Sequence, residues 1–588
     1  MTTAVQPPPQ SQSNPAAASE YPLRPAAPAG AEISDAAARL AAESLLRCWV
    51  RENRVSRPAA ADLVLEIGPR TVTAPVTYWS ATGWHRFGQA RTDQGPIEPG
   101  ELARLMGSAA AADDAAAAEE LAARAAESAE RIAAHLADRA ANPGLPDSES
   151  GPATTPFLAA EQSLLAGHPL HPNPKSRDNL TETAYSPELR GGFPLDWFSV
   201  DESLIVEDSE LGPTAHDLCT FLSGLLPDDG VLVPAHPWQA ADLLRRPAVR
   251  ELVEAGKLRH RGRSGAPWFA TSSLRTVYRA DVPVMMKLSL GLNITNSKRE
   301  NLRTELLRGI EAHRLFAGEA GAKLLAAHPN FRMLTDAGHL AVDGVPGLDV
   351  SLRHSPFRPT DYVYCVAALT DLGRGAIAPD GAVHELAAHI KGLASDTGRP
   401  VREVAAEWFG RYVARLIVPM LWMDAELGVT LEGHQQNTLI QLDEQGHPVA
   451  GWYRDNQGFY YRASRIDELA KLAGEPKLGR ASSTIVPDDV VTERLMYYVG
   501  INNLFGMVGA LGCAGLAEER DLLAVARDQL SVLRGHRPTE LLLNATTLRC
   551  KANLLTRAAG LDELVGELAT QSVYVEISNP CFTEGPES

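Results

Sequence analysis

The stretch from Trp268 to Phe316 constrains the fold of this chain more than any other part of the sequence. Two runs rich in β-branched and apolar residues flank a polar turn near Asp281, which predicts a β-hairpin. A turn centred there places Arg275 opposite Lys287, and directly opposed like charges destabilise a sheet. Since Lys287 and Ser289 share one face of the second strand, that face needs an anion or water. The other face is apolar and consists of Val284, Met286, Leu288 and Leu290.

The residues after this hairpin follow a helical period, and we expect a helix that begins near Thr295. Ser297 followed by Glu300 fits a capping box at its start. Lys298 and Arg299 then lie in the first turn, where the helix dipole disfavours basic side chains unless an anion binds. Together with the hairpin, this pattern favours a phosphate-binding site. Ordinary surface pairing of these cations with glutamates of the same segment is the alternative.

The charge of the whole chain limits what such a site serves. The 588 residues carry a formal net charge of -18, which repels nucleic acid and anionic lipid, so we expect neither as a partner. A local basic cluster then suits a small anionic ligand. The six cysteines are far apart and form no C-x-x-C pair, as in reduced cytosolic proteins. Without a secretory signal or a membrane-spanning apolar run, a cytoplasmic location is expected.

Composition divides the chain into four parts. Residues 1–32 are rich in Pro, Ala and Ser and predict a disordered tail. Residues 33–150 combine a helix capped by Ser34 or Asp35, two strands and an alanine-rich helical stretch, and predict a first subdomain. A Pro, Gly and Ser cluster near its end marks a linker. We expect two larger subdomains at 151–355 and 356–588, the second rich in helices.

The segment GHPLHPNPKSR, residues 167–177, places four potential cations on a loop stiffened by proline. A glycine between a helix-like run and His-Pro is a helix stop. Prolines reduce the entropy that is lost when side chains are held in place. The four side chains of the loop are His168, His171, Lys175 and Arg177. The alternative is a surface loop with a capping histidine.

A second hairpin is predicted by TLIQL and PVAGWY, which flank the turn sequence DEQGH. Folding these strands back brings Gln436 and Asn437 opposite Arg454–Asp455. Glu432 and His434 then lie at the same end of the hairpin. Oxygen ligands of this type suit Mg²⁺ bridging a nucleotide to the protein. A carboxylate pair for acid and base catalysis, or simply hydrogen-bonded turn residues, are the alternatives.

The other polar segments give weaker indications of function. We expect His236, in VPAHPWQA, to be structural, and Lys551 and Arg557 to lie on the solvated face of a helix. The sequence has no G-x-x-x-x-G-K-[ST] loop, no G-x-G-x-x-G after a strand and no G-x-S-x-G. P-loop, Rossmann and hydrolase-type sites are therefore not expected.

Six motifs occur together in the order typical of one enzyme family: GHPLHPNPKSR, PAHPWQ, SSLRTVY, KLSLGLNITNSKR, EGHQQN and YRDNQG. On these motifs the chain resembles the siderophore synthetases that work without a nonribosomal peptide synthetase, the aerobactin-synthetase (IucA/IucC) family. The resemblance covers the chain from Phe157 to the C-terminal NPCF.

The resemblance implies an α+β fold shaped as a cupped hand. Its parts are a thumb, fingers with a mixed or antiparallel sheet, and a helix-rich, kinase-like palm. It implies an enzyme that uses ATP and Mg²⁺ to adenylate a carboxylate, such as citrate, a citrate derivative or a succinyl-hydroxamate unit. An amine or alcohol then attacks the adenylate, and AMP and pyrophosphate are released. A homodimer is common in this family.

The resemblance also assigns roles by position. Catalytic roles are implied for His171, Arg275, Lys287, Arg299 and His434. Nucleotide contacts are implied for His168, Lys175, Arg177, Ser273, Thr276, Thr295, Gln436 and Asn437. Glu432 and Asp455 would hold Mg²⁺.

Two positions depart from the family pattern. Asp178 and Asn179 follow Arg177 where a glycine is usual, and Asn tolerates the left-handed backbone of such a turn. His354 stands where an acidic residue is common, so Arg353 is expected to lack its usual partner.

Two other classes compete with the ligase. A kinase-like phosphotransferase fits because a hairpin with Asn before it and Asp after it resembles the metal site of protein kinases. Its product would be ADP rather than AMP. The third class is a metal- or siderophore-binding protein that uses His168, His171, His236 and His434.

Overall fold

The computed structural model describes residues 30–110, 114–142, 155–177, 180, 182–212, 214–226, 230–294, 297–378, 381–455, 458–561 and 572–582. The predicted linker, except for its last two residues Thr155 and Pro156, and all but the last three residues of the predicted tail lie outside these ranges. Helix α1 (Gly30–Glu52) includes those three residues. The predicted cap is therefore wrong, because Ser34 and Asp35 lie inside the helix. Glu32 in the first turn favours the earlier start, since an acidic side chain there complements the helix dipole.

The N-terminal part is a small α+β unit. After α1 come β1 (Asp62–Ile67), β2 (Arg70–Tyr78), β3 (Arg86–Phe87), β4 (Arg91–Thr92), β5 (Gly95–Pro96), α2 (Pro99–Ala110) and α3 (Ala115–Ala141). The strands form an antiparallel sheet in the order β1-β2-β4-β5, with β3 paired to β2. The alanine-rich stretch is helical as predicted, and Asp114 caps α3 by accepting from Ala117 N at 3.0 Å.

The central part is built on an eight-stranded sheet in the order β7-β15-β16-β11-β10-β9-β6-β8, antiparallel throughout. Its elements are α4 (Pro156–Glu161), β6 (Gly192–Val200), β7 (Ile205–Ser209), α5 (Ala215–Ser223), β8 (Val231–Ala235), α6 (Pro237–Leu243), α7 (Pro247–Glu254), β9 (Leu258–Ala270), β10 (Thr276–Tyr278), β11 (Val284–Leu288), β12 (Leu290–Ile294), β13 (Ser297–Arg299), α8 (Arg303–Ala317), α9 (Glu319–Ala327), β14 (Phe331–Leu334), β15 (Asp336–Val342) and β16 (Asp349–His354). The predicted apolar face of β11 is confirmed, because these side chains enter one core cluster: Val284, Met286, Leu288 and Leu290.

The first predicted hairpin exists as β10 and β11, but its register is shifted by one residue. Lys287 pairs with Thr276, whereas Arg275 O accepts from Leu288 N at 2.9 Å. The two cations are therefore not directly opposed, contrary to the prediction. The turn is one residue longer than assumed, and within it Arg279 Nε donates to Asp281 Oδ1 at 3.0 Å.

The helix predicted to begin near Thr295 is wrong. Ser297–Arg299 form β13, which pairs antiparallel with β12, so Lys298 and Arg299 lie in a strand. The helix begins at Arg303, because Glu305 Oε2 accepts from Leu302 N at 3.1 Å and caps it there. Thr295 lies outside the described residues.

The C-terminal part is rich in helices. Its elements are β17 (Tyr362–Cys365), α10 (Val366–Leu369), α11 (Glu385–Thr397), α12 (Val401–Tyr412), α13 (Val418–Trp422), β18 (Val429–Leu431), β19 (Thr438–Leu442), β20 (Pro448–Arg454), β21 (Phe459–Arg462), α14 (Ile466–Ala473), β22 (Ile485–Val486), α15 (Asp488–Leu495), α16 (Gly506–Cys513), α17 (Glu519–Leu530), α18 (Arg537–Asn544), β23 (Thr547–Lys551), α19 (Asn553–Ala558) and β24 (Tyr574–Ser578). The second predicted hairpin is confirmed, with Thr438 of β19 opposite Tyr453 of β20.

Contacts cross the predicted boundary between residues 355 and 356. Strand β14 pairs in parallel with β20, with Phe331 opposite Gly451. Residues of α8 and α9 also enter the large C-terminal core. Strand pairing and core packing therefore join the central part to the C-terminal hairpin β19–β20. The predicted cluster on β10 and β11 and the predicted cluster on this hairpin lie side by side.

The six cysteines are free thiols, as predicted. Within the ranges given above, no helix is both long and apolar enough to cross a membrane.

Candidate functional site

A tight loop before β10 presents three of the predicted nucleotide ligands. Thr271 N and Thr271 Oγ1 each donate to Thr276 O at 2.9 Å, and Ser273 Oγ accepts from Thr276 N at 3.2 Å. Leu274 has a φ of 65°, which is uncommon for a bulky residue. These bonds hold the strained turn, and they fix Ser273, Arg275 and Thr276 at the start of β10, between β11 and β9 in the central sheet.

Arg275 joins this loop to β13. Its side chain is buried, and Nη1 donates to Arg299 O and to Asn301 Oδ1, both at 2.8 Å. The hairpin of β12 and β13 therefore brings Arg299 next to Arg275. Two of the predicted cations are neighbours through the sheet and not through a helix terminus.

Lys287 contacts the C-terminal part. Its Nζ donates to Asp455 Oδ1 at 2.8 Å, and Asp455 directly follows β20. Burial opposes the charge of Asp455, but Lys287, Arg353 and Arg275 hold the pKa of this carboxyl well below its usual range. Asp455 is thus an anion ringed by cations, and its φ of 101° is a strained conformation of the kind found at functional sites. We call the region around Asp455 the junction site.

Arg353 has a partner, so the expectation drawn from His354 is wrong. Arg353 Nε donates to Asp336 Oδ1 at 2.7 Å, and both side chains are buried. Asp336 opens β15 and lies opposite Arg353 in the sheet. Pairing across strands supplies the acidic group that the neighbouring position lacks.

Three of the His-Pro pairs share one local hydrogen bond. In each, the ring Nδ1 accepts from the backbone N–H two residues later: Leu170 N for His168 at 3.0 Å, Asn173 N for His171 at 3.2 Å and Trp238 N for His236 at 3.1 Å. For His171 and His236, the proton of the neutral ring is then on Nε2. The bond spans two residues and is therefore local to each segment.

The three rings differ in their surroundings. His236 is buried between Tyr185 and Phe193 and caps α6, which confirms its structural role. His168 Nε2 lies 2.5 Å from Asn502 Nδ2 at the junction site. Desolvation, together with the charges of His171 and His434, lowers the pKa of His168 to about 3. His168 is therefore neutral near pH 7.

The two cations of the histidine loop are paired with one buried carboxylate. Lys175 Nζ lies 2.6 Å and Arg177 Nη2 lies 2.5 Å from Glu188 Oε1. Gly167, with a φ of 81°, begins the loop, and its N–H donates to Asp371 Oδ2 at 2.7 Å. Both ends of the loop are thus anchored. In this structure Lys175 and Arg177 point to Glu188.

Arg454 connects the two hairpins. Its Nη1 lies 2.8 Å from Glu161 Oε1, and its Nη2 donates to Gln436 O at 2.8 Å and to Ser272 Oγ at 3.1 Å. Gln436 Nε2 donates in turn to Ser272 O at 3.1 Å. Arg454 is opposite the EGHQQN segment as predicted. It also fixes that segment against the loop that carries Ser273.

The EGHQQN segment is held in place by side chains of a π-helical segment, Met496–Phe505. Asn503 Nδ2 donates to Gly433 O at 2.7 Å, and Asn502 Oδ1 accepts from Gln435 N at 3.1 Å. Asn437 Nδ2 donates to Glu432 O at 3.3 Å. Adjacent asparagines on one turn thus position both sides of this segment, which sequence periodicity did not predict.

His434 is at the centre of the junction site. Desolvation lowers its pKa to about 4, with Lys551, Arg454 and Arg299 lowering it further and Asp455 opposing them. Groups from β13, β20 and β23 therefore act on one ring. The ring is neutral near pH 7.

Glu432 and Asp455 are the predicted metal ligands. Glu432 Oε1 accepts from Tyr460 Oη at 2.6 Å and from Arg494 Nη1 at 3.0 Å. Burial raises the pKa of the Tyr453 hydroxyl, and the charges of both carboxylates raise it further. Within the described part of the chain, no group of three or more His, Cys, Asp or Glu side chains is arranged to hold a metal ion. Two carboxylates suit Mg²⁺, which also takes water and phosphate oxygens.

Two cations of the site were missed in the sequence. Lys551 is buried on β23 and acts on His168 and His434, so the solvated helix predicted for it is wrong. Arg494 contacts Glu432 from α15. Arg557 lies on α19 and pairs with Glu120 at 3.0 Å. The apolar residues around Lys551 were the only signal that it lies inside.

A cavity of about 1270 Å³ opens on the far side of Arg494. Its lining carries both signs of charge, and Arg549 pairs there with Glu493 at 2.9 Å. Arg494 thus separates this cavity from Glu432 at the junction site.

Comparison with known proteins identifies relatives of this chain by family, sequence and fold. The model of the IucA / IucC family matches residues 156–371, and that of the "Ferric iron reductase FhuF-like transporter" family matches residues 406–566. The rhizobactin siderophore biosynthesis protein RhbC of Rhizobium meliloti (strain 1021) is 40% identical over 72% of this chain and 75% of its own length. The spermidine-citrate ligase of Bacillus anthracis is 36% identical over 73% and 74% of the two chains. The structure of ATP-bound aerobactin synthetase IucA from Klebsiella pneumoniae superposes with a TM-score of 0.81 at 27% identity, covering 94% of this chain and 100% of that one.

The α+β fold, the cationic junction site and these relatives define a ligase of siderophore biosynthesis. The chain belongs to the IucA/IucC family.

Proposed function

We propose that this ligase uses ATP to adenylate a carboxylate and then joins the acyl group to an amine or alcohol, releasing AMP and pyrophosphate. The observation that carries the proposal is the convergence on Asp455 of cations from separate strands. Lys287, Arg275 and Arg353 act on this carboxylate, and Arg299 and Lys551 act on His434 beside it. Such a set of cations suits a triphosphate and a carboxylate bound together.

In the first half reaction, both reactants are anions, so the barrier is largely electrostatic and positional. Arg275, Lys287 and Arg299 neutralise the triphosphate and stabilise the departing pyrophosphate. Arg provides a two-pronged contact to phosphate oxygens, while Lys acts as a point charge. The nucleotide is also held by Ser273, Thr276, Thr295, Gln436, Asn437 and His168.

The charge of Lys551 on β23 acts on His434, and Arg494 on α15 contacts Glu432. We propose that they bind the carboxylate to be activated. This is supported by their place outside the central sheet, whose cations are proposed to bind the nucleotide. Citrate or a citrate derivative is the acid that the relatives favour.

The role of Lys175 and Arg177 as nucleotide ligands requires their ion pairs with Glu188 to open. We propose that they close over the phosphates only with that rearrangement. Without it, they anchor the loop that presents His168 and His171.

Mg²⁺ would be held by Glu432 and Asp455, whose oxygen ligands fit this ion. When bound, it supplies positive charge to the phosphate oxygens of the nucleotide. Asp455 is already deprotonated because Lys287 is beside it. Lys287, which pairs with Asp455, would contact the phosphate oxygens.

In the second half reaction, the attacking amine loses a proton. His434 and His171 are the candidates to accept it. His434 is neutral near pH 7, as a proton acceptor must be.

A kinase-like phosphotransferase is not favoured, because the relatives are ligases and synthetases. A metal- or siderophore-binding role is not favoured either, because His236 is buried in a structural contact away from the junction site. We further propose a cupped hand of thumb, fingers and kinase-like palm at 33–150, 151–355 and 356–588, a homodimer, and a cytoplasmic location.

The test of the proposal is a product analysis. Purified protein with Mg-ATP, citrate and a panel of diamines, hydroxylated diamines and alcohols should form AMP and pyrophosphate, together with an amide or ester detected by mass spectrometry. Formation of ADP and a phosphorylated acid would instead support the kinase. No turnover of ATP with any acid of a panel that includes citrate monoamides and succinyl-hydroxamates would contradict both.

A further inference from the structure

A chain of buried polar groups links Arg275 to Asp349, a carboxylate that the sequence motifs do not include. Asn301 Oδ1 accepts from Arg275 Nη1 at 2.8 Å, and Asn301 Nδ2 donates to Asp349 Oδ1 at 2.6 Å. Ser289 Oγ also donates to Asp349 Oδ1, at 2.8 Å, and accepts from Asn301 N at 2.7 Å. All four side chains are more than nine-tenths buried.

Asp349 holds the amide of Asn301 in the orientation that Arg275 and Lys287 O also require. An ionised carboxylate only accepts hydrogen bonds, so the NH₂ group of Asn301 must face Asp349. The amide oxygen is then directed at Arg275, where it accepts from the guanidinium. A flipped amide would place N–H groups of Asn301 against N–H groups of Arg275, which is unfavourable.

The same network reaches the backbones of two other cations, Lys287 through Asn301 and Arg299 through Arg275. Asn301 Nδ2 lies 3.3 Å from Lys287 O, and the second bond of Arg275 Nη1 goes to Arg299 O. One buried amide therefore lies between the backbones that carry Lys287 and Arg299 and the guanidinium of Arg275. A displacement of Asn301 would move all three.

Burial of an acid at this position has a cost that its partners offset. Burial raises the pKa of Asp349 to about 6, while Asn301, Ser289 and the charge of Arg275 lower it. A buried carboxylate that does not contact the junction site directly is costly unless its hydrogen bonds serve another group.

We propose that Asp349, acting through Asn301 and Ser289, is a positioning residue that sets the orientation of Arg275 for the triphosphate. This inference rests on the proposed nucleotide-binding role of Arg275. Asp349, Asn301 and Ser289 are supporting residues beneath the cations. The geometry of Arg275 depends on the charge of residue 349 and not only on its shape.

The test is a double-mutant cycle read by binding of Mg-ATP in calorimetry and by carboxylate-dependent ATP-pyrophosphate exchange. Asp349→Asn keeps the shape and removes the charge, so the charge-assisted bond that holds Asn301 against Arg275 is weakened. We expect kcat/KM for ATP to fall by about 100-fold, the typical cost of a misplaced catalytic group. Asp343→Asn, at an exposed position of the β15–β16 turn, is the matched control and should behave as wild type.

The second arm distinguishes positioning from a general effect on folding. In an Arg275→Ala background, Asp349→Asn should not weaken Mg-ATP binding further, because the group that it positions is gone. Equal losses in both backgrounds, or wild-type affinity and exchange in the single variant, would overturn the inference. If Asp349→Asn does not fold, as judged by circular dichroism, Ser289→Ala is carried through the same cycle with the same criteria.

The result also separates this inference from the proposed function. If the wild-type protein catalyses ATP-pyrophosphate exchange and the Arg275→Ala variant does not, the nucleotide site is supported, whatever the outcome at Asp349. Wild-type affinity in Arg275→Ala would overturn the nucleotide role of Arg275, and the positioning role of Asp349 with it.

Discussion

Lys287 Nζ donates to Asp455 Oδ1 at 2.8 Å and so joins the central sheet to the end of the C-terminal hairpin. The two residues are 168 positions apart in sequence. Lys287 is one of the cations of the central sheet, and Asp455 is one of the two carboxylates proposed to bind Mg²⁺. Two predictions concern the cations of this site and two concern Glu188 and His236, in addition to the tests given above.

Replacement of Lys287 by Ala should abolish carboxylate-dependent ATP-pyrophosphate exchange while the fold is kept. The charge is needed at the triphosphate, and its loss also leaves Asp455 without its ion-pair partner. Exchange of labelled pyrophosphate into ATP measures the first half reaction alone. Lys323→Ala, which alters an exposed lysine, is the control and should keep wild-type exchange; a folded Lys287→Ala enzyme of normal activity would remove Lys287 from the site.

Arg299→Ala should also abolish exchange, because Arg299 acts at His434 and its backbone holds Arg275. Arg299→Lys keeps the charge but loses the fork geometry, so partial exchange is expected. The measurement is KM for ATP against kcat for the two variants. Equal kinetics of Arg299→Ala and wild type would contradict a role in nucleotide binding.

Glu188→Gln should destabilise the protein strongly, because two buried cations lose their shared carboxylate. Breaking a buried ion pair by removing one partner costs about 3–5 kcal/mol. The free energy of unfolding in urea measures this loss. The control is Glu319→Gln, which removes an exposed pair with Lys323 and should cost less than about 1 kcal/mol. Similar stabilities of the two variants would show that Glu188 does not hold the loop.

His236 should make the protein less stable in mild acid. Burial lowers the pKa of His236 to about 3, whereas an unfolded histidine has a pKa of about 6.5. Between these values the unfolded chain binds a proton that the native protein does not, so stability falls as pH decreases from about 6.5 towards about 3. The full contribution of one such group is about 1.4 kcal/mol per pH unit.

His236→Asn tests this prediction, because Asn retains the ability to cap α6 but does not titrate in this range. Urea unfolding at pH 7 and at pH 5 gives the difference in free energy for both proteins. The variant should show a smaller loss between the two pH values. An unchanged pH dependence would mean that His236 titrates normally in the native protein.

Much of the fold was predictable because its signals are local. Alternation along β11 placed Val284 and Met286 on the core side, and the DEQGH turn gave the hairpin of β19 and β20. The His-Pro-x segments fix their own ring nitrogens through bonds to residues two positions later. The six motifs indicated the family, and the relatives confirmed it.

The wrong predictions concern residues whose structure depends on groups that are distant or later in the sequence. The helix expected near Thr295 gave way to β13 because pairing with β12 satisfies the backbone there, and Glu305 caps the helix further on. Lys551 was expected in water because its local pattern does not show the β23–β24 pairing and the packing that bury it. Arg353 finds Asp336 across the sheet and not along the chain.

The sequence by itself determined which residue types carry the chemistry, the strands and turns that hold them, and the family to which they belong, since these depend on neighbours within a few residues. Only the tertiary structure decided which cations share an anion. Glu188 pairs with Lys175 and Arg177, and Asp455 pairs with Lys287. Asp349 is linked to Arg275 by hydrogen bonds through Asn301. Charges in a buried site are offset by whichever group the packing of strands and helices brings within hydrogen-bond distance, and sequence separation does not limit that choice.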